Sequence, residues 1–112
     1  MEQLDRYRKI VQTVIMDYAR WKPANAQVES EAIVDRERDH YLVMDVGWEG
    51  RNRRIHFTVI HLDIINGKIW VQRDGTNRPV VDELLAAGVP REDIVIAFHP
   101  PDLRHHTEFA VG

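Results

Sequence analysis

The chain has 112 residues, of which 44% are hydrophobic and 29% charged, and its formal net charge is −3 at pH 7. These values predict one globular domain over residues 1–112, and the acidic balance argues against a dedicated nucleic-acid binder, which usually has a basic excess. A chain without cysteine can form no disulfide, thiolate nucleophile or cysteine-based metal site. The charged start MEQLDRYRK and the lack of an apolar run of membrane-spanning length predict a cytoplasmic protein without a membrane segment.

The first predicted element is an amphipathic N-terminal helix of about 20 residues. Its apolar positions recur at three- and four-residue spacing: Leu4, Tyr7, Val11, Val14, Tyr18 and Trp21. Pro23 disfavours helical geometry in the residue before it and should end the helix. We expect the two aromatic residues near this end, Tyr18 and Trp21, to lie in the core.

Two strands follow the predicted loop 23–27. Residues 28–36 predict a charged edge strand, and residues 39–48 predict a second strand. Alternation along the second strand predicts a core side and a mixed side, formed respectively by Leu42, Met44, Val46 and Trp48 and by Tyr41, Val43 and Asp45. Residues 49–52, with the sequence EGRN, form the turn into the next strand.

Asn66-Gly67 lies between two runs rich in β-branched and aromatic residues, which predicts a hairpin closed by a type I′ turn. The resulting register pairs Ile65 with Lys68, Ile64 with Ile69, Asp63 with Trp70 and His61 with Gln72. The predicted core face of this hairpin comprises Thr58, Ile60, Leu62, Ile64, Ile69 and Val71. The predicted second face is mixed and comprises Phe57, Val59, His61, Asp63, Ile65, Trp70, Gln72 and Asp74.

After the hairpin, the apolar spacing predicts a short helix through Val80–Leu85, with Thr76 or Asn77 as its N-cap and Gly88 as the residue that ends it. Residues 94–98 are apolar on both faces, which predicts a buried fifth strand reached by a crossover through that helix. We expect residues 103–112 to form a tail that docks through Phe109 and Val111 on the body or on a second subunit. The predicted fold is therefore α+β: a long N-terminal helix, a four-stranded antiparallel meander, a short helix, a fifth strand and a C-terminal tail.

Histidine and aspartate side chains on the mixed face are the first candidates for chemistry. His61 and Asp63, joined by Asp45 from the neighbouring strand, could bind a divalent metal or shuttle protons, as a hydrolase or nuclease requires. We favour the simpler interpretation that they are polar residues on a solvated sheet face. His99 and His105-His106 are too irregularly spaced for a metal signature. The sequence therefore predicts no catalytic residue, cofactor or metal site.

Three arginines at the turn after the second strand, Arg51, Arg53 and Arg54, are candidates for phosphate contacts. On a net-acidic chain we interpret them as the solvated end of a hairpin, which leaves DNA contact as the alternative. The sequence contains no phosphate-binding glycine loop, HExxH zinc motif, nucleophile elbow, recombinase signature or restriction-type nuclease pattern.

Five segments that together span nearly the whole chain carry a family resemblance: LDRYRKIVQTVI, RDHYLVMDVGWEG, VIHLDIINGKIWVQRDGT, ELLAAGVPREDIVIAFHPP and TEFAVG. In this order they resemble the XisI family, known as fdxN-element excision controlling factors. The resemblance implies a small cytoplasmic protein, typical of cyanobacteria and some other bacteria, that is linked to site-specific excision of a DNA element during heterocyst development. Members are typically encoded beside XisH, an endonuclease-like protein. The family has no established catalytic residues to carry over.

From the resemblance and the composition we expect a non-enzymatic accessory protein that contacts a XisH-type partner. The alternative is a DNA-contacting excision factor that uses the arginine turn, and a metal-dependent hydrolase or nuclease is the least favoured class. We also expect a homo-oligomer, most simply a two-fold dimer, because the mixed face carries much apolar surface. The expected interaction face has Trp70 as its main anchor and comprises Tyr41, Val43, Asp45, Phe57, Val59, His61, Asp63, Trp70 and Gln72.

Overall fold

A computed structural model describes residues 2–20, 27–104 and 107–112. In chain order the elements are α1 (Glu2–Arg20), β1 (Val28–Asp35), β2 (His40–Glu49), β3 (Arg53–Ile65), β4 (Lys68–Asp74), α2 (Val80–Ala86), β5 (Ile94–Ile96) and α3 (Pro101–Arg104), with a 3₁₀ turn at Arg91–Asp93 before β5. The strands form one sheet in the order β1-β2-β3-β4-β5, antiparallel from β1 to β4 and parallel between β4 and β5. The predicted α+β fold is confirmed. The predictions for Trp21, for most of the loop 23–27 and for His105-His106 lie outside the described residues.

Helices α1 and α2 contact each other, and α1 also contacts β1, β2 and β3. One core lies between these helices and one face of the sheet, as predicted from the apolar stripe of α1. Its fully buried members are Tyr7, Val11, Ile15, Tyr41, Ile60, Leu62, Ile69, Val71, Val80, Leu84 and Ile94. Tyr18 is buried as predicted, and its hydroxyl donates a hydrogen bond to the Arg78 carbonyl oxygen at 2.6 Å.

The central hairpin closes at Asn66-Gly67, whose φ values of +52° and +78° are the left-handed values that a type I′ turn requires. Next to the turn, the pairs of β3 and β4 are those predicted, from Ile65 with Lys68 to Asp63 with Trp70. The predicted core residues of the hairpin are buried, with the exception of Thr58: Ile60, Leu62, Ile64, Ile69 and Val71.

Two β-bulges change the register farther from the turn. Val59 is an extra residue in β3, because Val43 pairs with Ile60 whereas Met44 pairs with Thr58. Alternation is therefore inverted before the bulge. The prediction that Thr58 belongs to the core face is wrong, since its Oγ1 lies 3.0 Å from Met44 Sδ on the opposite face. Val59 packs against the core instead of the mixed face.

The second bulge is in β4, where Gln72 is the extra residue. Leu62 pairs with Val71, but His61 pairs with Arg73. The predicted pairing of His61 with Gln72 is therefore wrong, although both side chains still lie on the face opposite the helices. A bulge of this kind turns a side chain without ending the sheet, and here it turns the Gln72 amide towards Asp63.

The two sides predicted for β2 are exchanged in the structure. Tyr41 and Val43, predicted on the mixed side, are buried in the core at 0% and 2% exposure. Tyr41 lies directly opposite Leu62, and residues opposite each other in antiparallel strands share a face. The hairpin register therefore determines the orientation of β2. The buried Tyr41 hydroxyl donates to Asp39 Oδ1 at 2.9 Å, and burial raises the pKa of this hydroxyl.

The short helix α2 covers the predicted residues and extends to Ala86, but the prediction of its N-cap is wrong. The N-cap is Pro79 rather than Thr76 or Asn77. The Val80 N–H donates a hydrogen bond to Asp74 Oδ2 at 2.7 Å. At its other end Gly88, with a φ of +98°, follows the helix as predicted. The N–H groups of residues 88 and 89 donate hydrogen bonds to the carbonyl oxygens of residues 85 and 84, which form a Schellman motif.

The last strand is shorter than the predicted span 94–98, and Phe98 beyond it is 53% exposed. The C-terminal residues return to the sheet, where the Ala110 N–H donates to the Ile94 carbonyl oxygen at 2.8 Å. Phe109 packs against the core, so the tail docks on the body of the domain, whereas Val111 is 55% exposed.

Candidate functional site

The face of the sheet opposite α1 and α2, which we call the open face, carries an apolar strip and a polar cluster. The apolar strip crosses β1 and β2 and comprises Ile33, Leu42, Met44, Val46 and Trp48. Ile33 lies opposite Leu42 in the β1–β2 ladder, and alternation from the buried Tyr41 and Val43 places Leu42 and its even-numbered neighbours on this face. Ile33 and Trp48 are 44% and 47% exposed.

The polar cluster comprises His40, His61, Asp63 and Gln72. His40 begins β2 directly opposite Asp63, and His61 precedes Asp63 by two residues on β3, so period-2 geometry places all three side chains on the open face. His40 Nδ1 lies 2.7 Å and His61 Nε2 lies 2.8 Å from the same oxygen, Asp63 Oδ1. Gln72 Nε2 donates to the other carboxylate oxygen, Oδ2, at 3.2 Å.

Burial and charge make this cluster unlike an ordinary solvated pair. The Asp63 side chain is only 9% exposed, whereas the side chains of His61 and His40 are 33% and 50% exposed. The hydrogen bond to Asp63 raises the pKa of His40. The two rings meet edge to face with their centroids 6.4 Å apart. A buried carboxylate beneath two accessible imidazoles can exchange protons or coordinate a metal.

The structure separates the predicted metal candidates. Asp45 does not join His61 and Asp63, because alternation along β2 places it on the same side as the buried Val43. Its Oδ1 instead accepts a hydrogen bond from Ser30 Oγ at 2.6 Å. The third residue of the cluster is His40, which the sequence analysis did not include. Pairing β2 with β3 in the observed register places His40 opposite Asp63.

Four of the nine residues predicted for the interaction face lie on the open face: His61, Asp63, Trp70 and Gln72. Tyr41 and Val43 are core residues, and Val59 packs against the core. Asp45 and Phe57 lie opposite each other on the helix side of the sheet. Phe57 is nevertheless 44% exposed.

Trp70, the predicted main anchor, is half-buried. The Arg104 guanidinium lies 5.4 Å from the centroid of its ring. A Cβ on Gly112 would lie 3.5 Å from the same ring, so the C-terminal residues approach Trp70 closely. Part of its surface is therefore already in use within the chain, and Ile33 and Trp48 offer more accessible apolar surface.

The three arginines lie exposed around the β2–β3 turn, as predicted for the solvated end of a hairpin. Arg53 Nη1 lies 3.5 Å from Glu49 Oε1. Arg54 lies 5.2 Å from the centroid of the Trp48 ring, and its Nη1 donates to the Gly47 carbonyl oxygen at 3.3 Å. Two of the three guanidinium groups therefore have partners within the chain.

The architecture defines a class: a small α+β domain whose single sheet is covered by helices on one face and presents a partly apolar, partly histidine-bearing surface on the other. Within the described ranges, no helix is long and apolar enough to cross a membrane. The chain belongs to the XisI protein family, which it matches over residues 1–111. This confirms the family resemblance that the sequence segments indicated.

Two solved structures are similar to this chain over nearly its whole length. A XisI-like protein from Anabaena variabilis is 43% identical, with a TM-score of 0.90 and coverage of 97% of this chain and 99% of that one. The fdxN element excision controlling factor XisI, also from Anabaena variabilis, is 40% identical, with a TM-score of 0.84 and coverage of 98% and 99%. Among curated proteins there was no significant match.

Proposed function

We propose that this chain is a non-enzymatic accessory protein that controls the site-specific excision of a DNA element by binding a XisH-type partner through its open face. Membership of the XisI family supports the role in excision control, as does the similarity to an excision controlling factor from Anabaena variabilis. The observation that carries the protein-contact part is the exposed apolar strip.

The strip has the character of a contact surface. Ile33 and Trp48 expose large apolar side chains on the same face of the sheet as Leu42. A sheet face that only meets water alternates towards polar residues, and grouped exposed apolar residues mark sites where proteins associate. Aromatic residues such as Trp48 are also enriched among the side chains that dominate binding energy.

Charge favours a protein ligand over duplex DNA. The net charge is −3, and binding to DNA depends on phosphate neutralisation by a basic surface. Removing Arg51, Arg53 and Arg54 would remove at most three phosphate contacts, which on the counterion-release relation lowers the salt slope by about 0.9 per contact.

The test compares matched surface variants after circular dichroism has shown that each folds. Ile33→Ser and Trp48→Ser change the apolar strip. Phe57→Ser is the control, since Phe57 has the same 44% exposure as Ile33 but lies on the helix side of the sheet. Titration calorimetry with the purified XisH-type protein should show affinity reduced by about tenfold or more for the strip variants and little change for the control.

A parallel test addresses the DNA alternative. The triple variant of Arg51, Arg53 and Arg54 to serine should bind the XisH-type protein as the wild type does. Gel shifts at several salt concentrations should show the same DNA binding for the wild type and for this variant. If the arginine variant abolishes excision control while both strip variants behave as wild type, the chain acts through DNA and the proposal fails.

A further inference from the structure

The polar cluster has a feature that the proposed protein contact does not use. Asp63 is buried, and the hydrogen bonds described for its carboxylate come from His40, His61 and Gln72. None of these three side chains carries a permanent positive charge. A buried carboxylate is costly unless a charge or a metal compensates it. One nitrogen of each imidazole points to the same oxygen atom, Asp63 Oδ1. Three potential ligand atoms are therefore grouped at one place.

We propose that His40, His61 and Asp63 form a binding site for a divalent transition-metal ion, with Zn²⁺ the ion that the ligand set suits best. The ligand atoms are His40 Nδ1, His61 Nε2 and one carboxylate oxygen of Asp63. The three residues can present donor atoms that all lie within 4.8 Å of one another. Two nitrogens and one oxygen favour Zn²⁺, Co²⁺, Ni²⁺ or Cu²⁺ over Mg²⁺ and Ca²⁺, which prefer oxygen ligands alone.

The distances require only small movements. Zinc ligands lie about 2.0–2.2 Å from the ion, so neighbouring ligand atoms in a tetrahedral site are about 3.4 Å apart. The nitrogen–oxygen distances here are 2.7 and 2.8 Å, so the imidazoles would move outward by about half an ångström as the ion enters. Both rings can move because they are partly exposed, whereas the Asp63 carboxylate is buried and is held by the hydrogen bond from Gln72.

Gln72 completes the site as a positioning residue. Its amide donates to Asp63 Oδ2, which orients the carboxylate and leaves Oδ1 directed between the two histidines. Outer hydrogen bonds of this kind hold metal-binding carboxylates in place. The bulge in β4, which interrupts the alternation of the strand, places the Gln72 amide beside Asp63.

Three protein ligands leave at least one coordination position free, as in zinc sites that bind water or an external donor. The exposed sides of His40 and His61 face the solvent above the open face. The site therefore takes a hydrated ion whose remaining position is open to a small anionic or nitrogen ligand. The ligands come from both β2 and β3, so the complete site exists only in the folded chain. Ion binding should therefore stabilise the folded state by mass action.

The test uses the untagged, purified chain without any partner, so its outcome is independent of the proposed function. Titration calorimetry with Zn²⁺ should show one ion per chain in the micromolar range or tighter, and Co²⁺ should give the visible absorption of a site with few ligands. His61→Asn and Asp63→Asn should lose this binding, and Gln72→Leu should weaken it about tenfold. The thermal midpoint should rise with Zn²⁺ in the wild type but not in His61→Asn or Asp63→Asn.

Matched controls separate the site from other histidines. His56→Asn alters an exposed histidine on the same strand, β3, and the double change of His105 and His106 to asparagine removes the C-terminal pair. Both variants should bind Zn²⁺ and Co²⁺ as the wild type does. His40→Asn, at an exposed strand end, provides a ligand variant that should fold even if His61→Asn does not. Absence of saturable Zn²⁺ binding to the wild type, or binding that survives in His40→Asn and Asp63→Asn, would overturn the proposal.

Discussion

Two isoleucines on β3 allow the two faces of the sheet to be distinguished by stability alone. Ile60 is fully buried between the sheet and the helices, whereas Ile65 is 39% exposed at the hairpin end on the open face. We predict that Ile60→Ala destabilises the domain much more than Ile65→Ala. Both changes remove the same atoms from the same strand, so the difference reports the environment of each side chain.

The expected magnitudes follow from burial. Truncation of a fully buried isoleucine to alanine costs about 2–5 kcal/mol, because the transfer free energy is lost and a cavity remains. Truncation of Ile65 should cost about 1 kcal/mol or less, mainly through reduced strand packing. A domain of this size has a total stability of about 5–15 kcal/mol, so Ile60→Ala should lower the thermal midpoint by about 8–20 °C.

Urea unfolding followed by circular dichroism measures both differences, provided that the denaturant slope m is unchanged between variants. Ile60→Val serves as a milder control and should cost about 0.5–1.5 kcal/mol. Equal losses for the two alanine variants, or a larger loss for Ile65→Ala, would mean that the faces are assigned incorrectly and that the open face is not where we place it.

Three further predictions concern the backbone, pH and assembly. Gly47→Ala should lower the free energy of unfolding by about 2–4 kcal/mol, because the new Cβ would lie 2.0 Å from the Gln27 carbonyl oxygen. Gly50→Ala should lower it by only about 1–2 kcal/mol, because at φ +65° the new Cβ would have nothing within 4 Å. Urea unfolding of both variants measures the difference. The hydrogen bonds of Arg8 lower the pKa of Asp39 below its ordinary value. Asp39→Asn should therefore reduce stability at neutral pH, and its difference from wild type should vanish as the pH falls through the folded-state pKa. A difference that persists in acid would refute the charge-based explanation. Light scattering at tens of micromolar should give about twice the 13.1 kDa chain mass, and a monomer mass would contradict the expected dimer.

Strong local signals in the sequence predicted much of the fold. The spacing of apolar residues predicted α1, Asn66-Gly67 predicted the hairpin and its register near the turn, and Gly88 predicted the end of α2. Each signal depends on residues close together in the chain, where backbone geometry leaves few alternatives. These elements therefore needed no tertiary information.

Predictions failed where long-range contacts decide the outcome. In β2 both the odd-numbered and the even-numbered residues include apolar side chains, so the sequence pattern does not show which set is buried. The pairing of Tyr41 with Leu62 decides it. The bulges at Val59 and Gln72 have no glycine or proline signal in the sequence. For the candidate site, His61 and Asp63 were predicted together, but His40 was missed because its position depends on the β2–β3 register.

The central claim is that a partner protein binds the open face. The most direct measurement is a methyl NMR titration of isoleucine-labelled protein with the unlabelled XisH-type protein. We predict that the Ile33 and Ile65 methyl signals, from exposed side chains of the open face, shift or broaden at stoichiometric partner, while the signal of Ile10 on α1 stays unchanged. Changes confined to Ile10, or to Ile55 beside the arginine turn, would contradict the account.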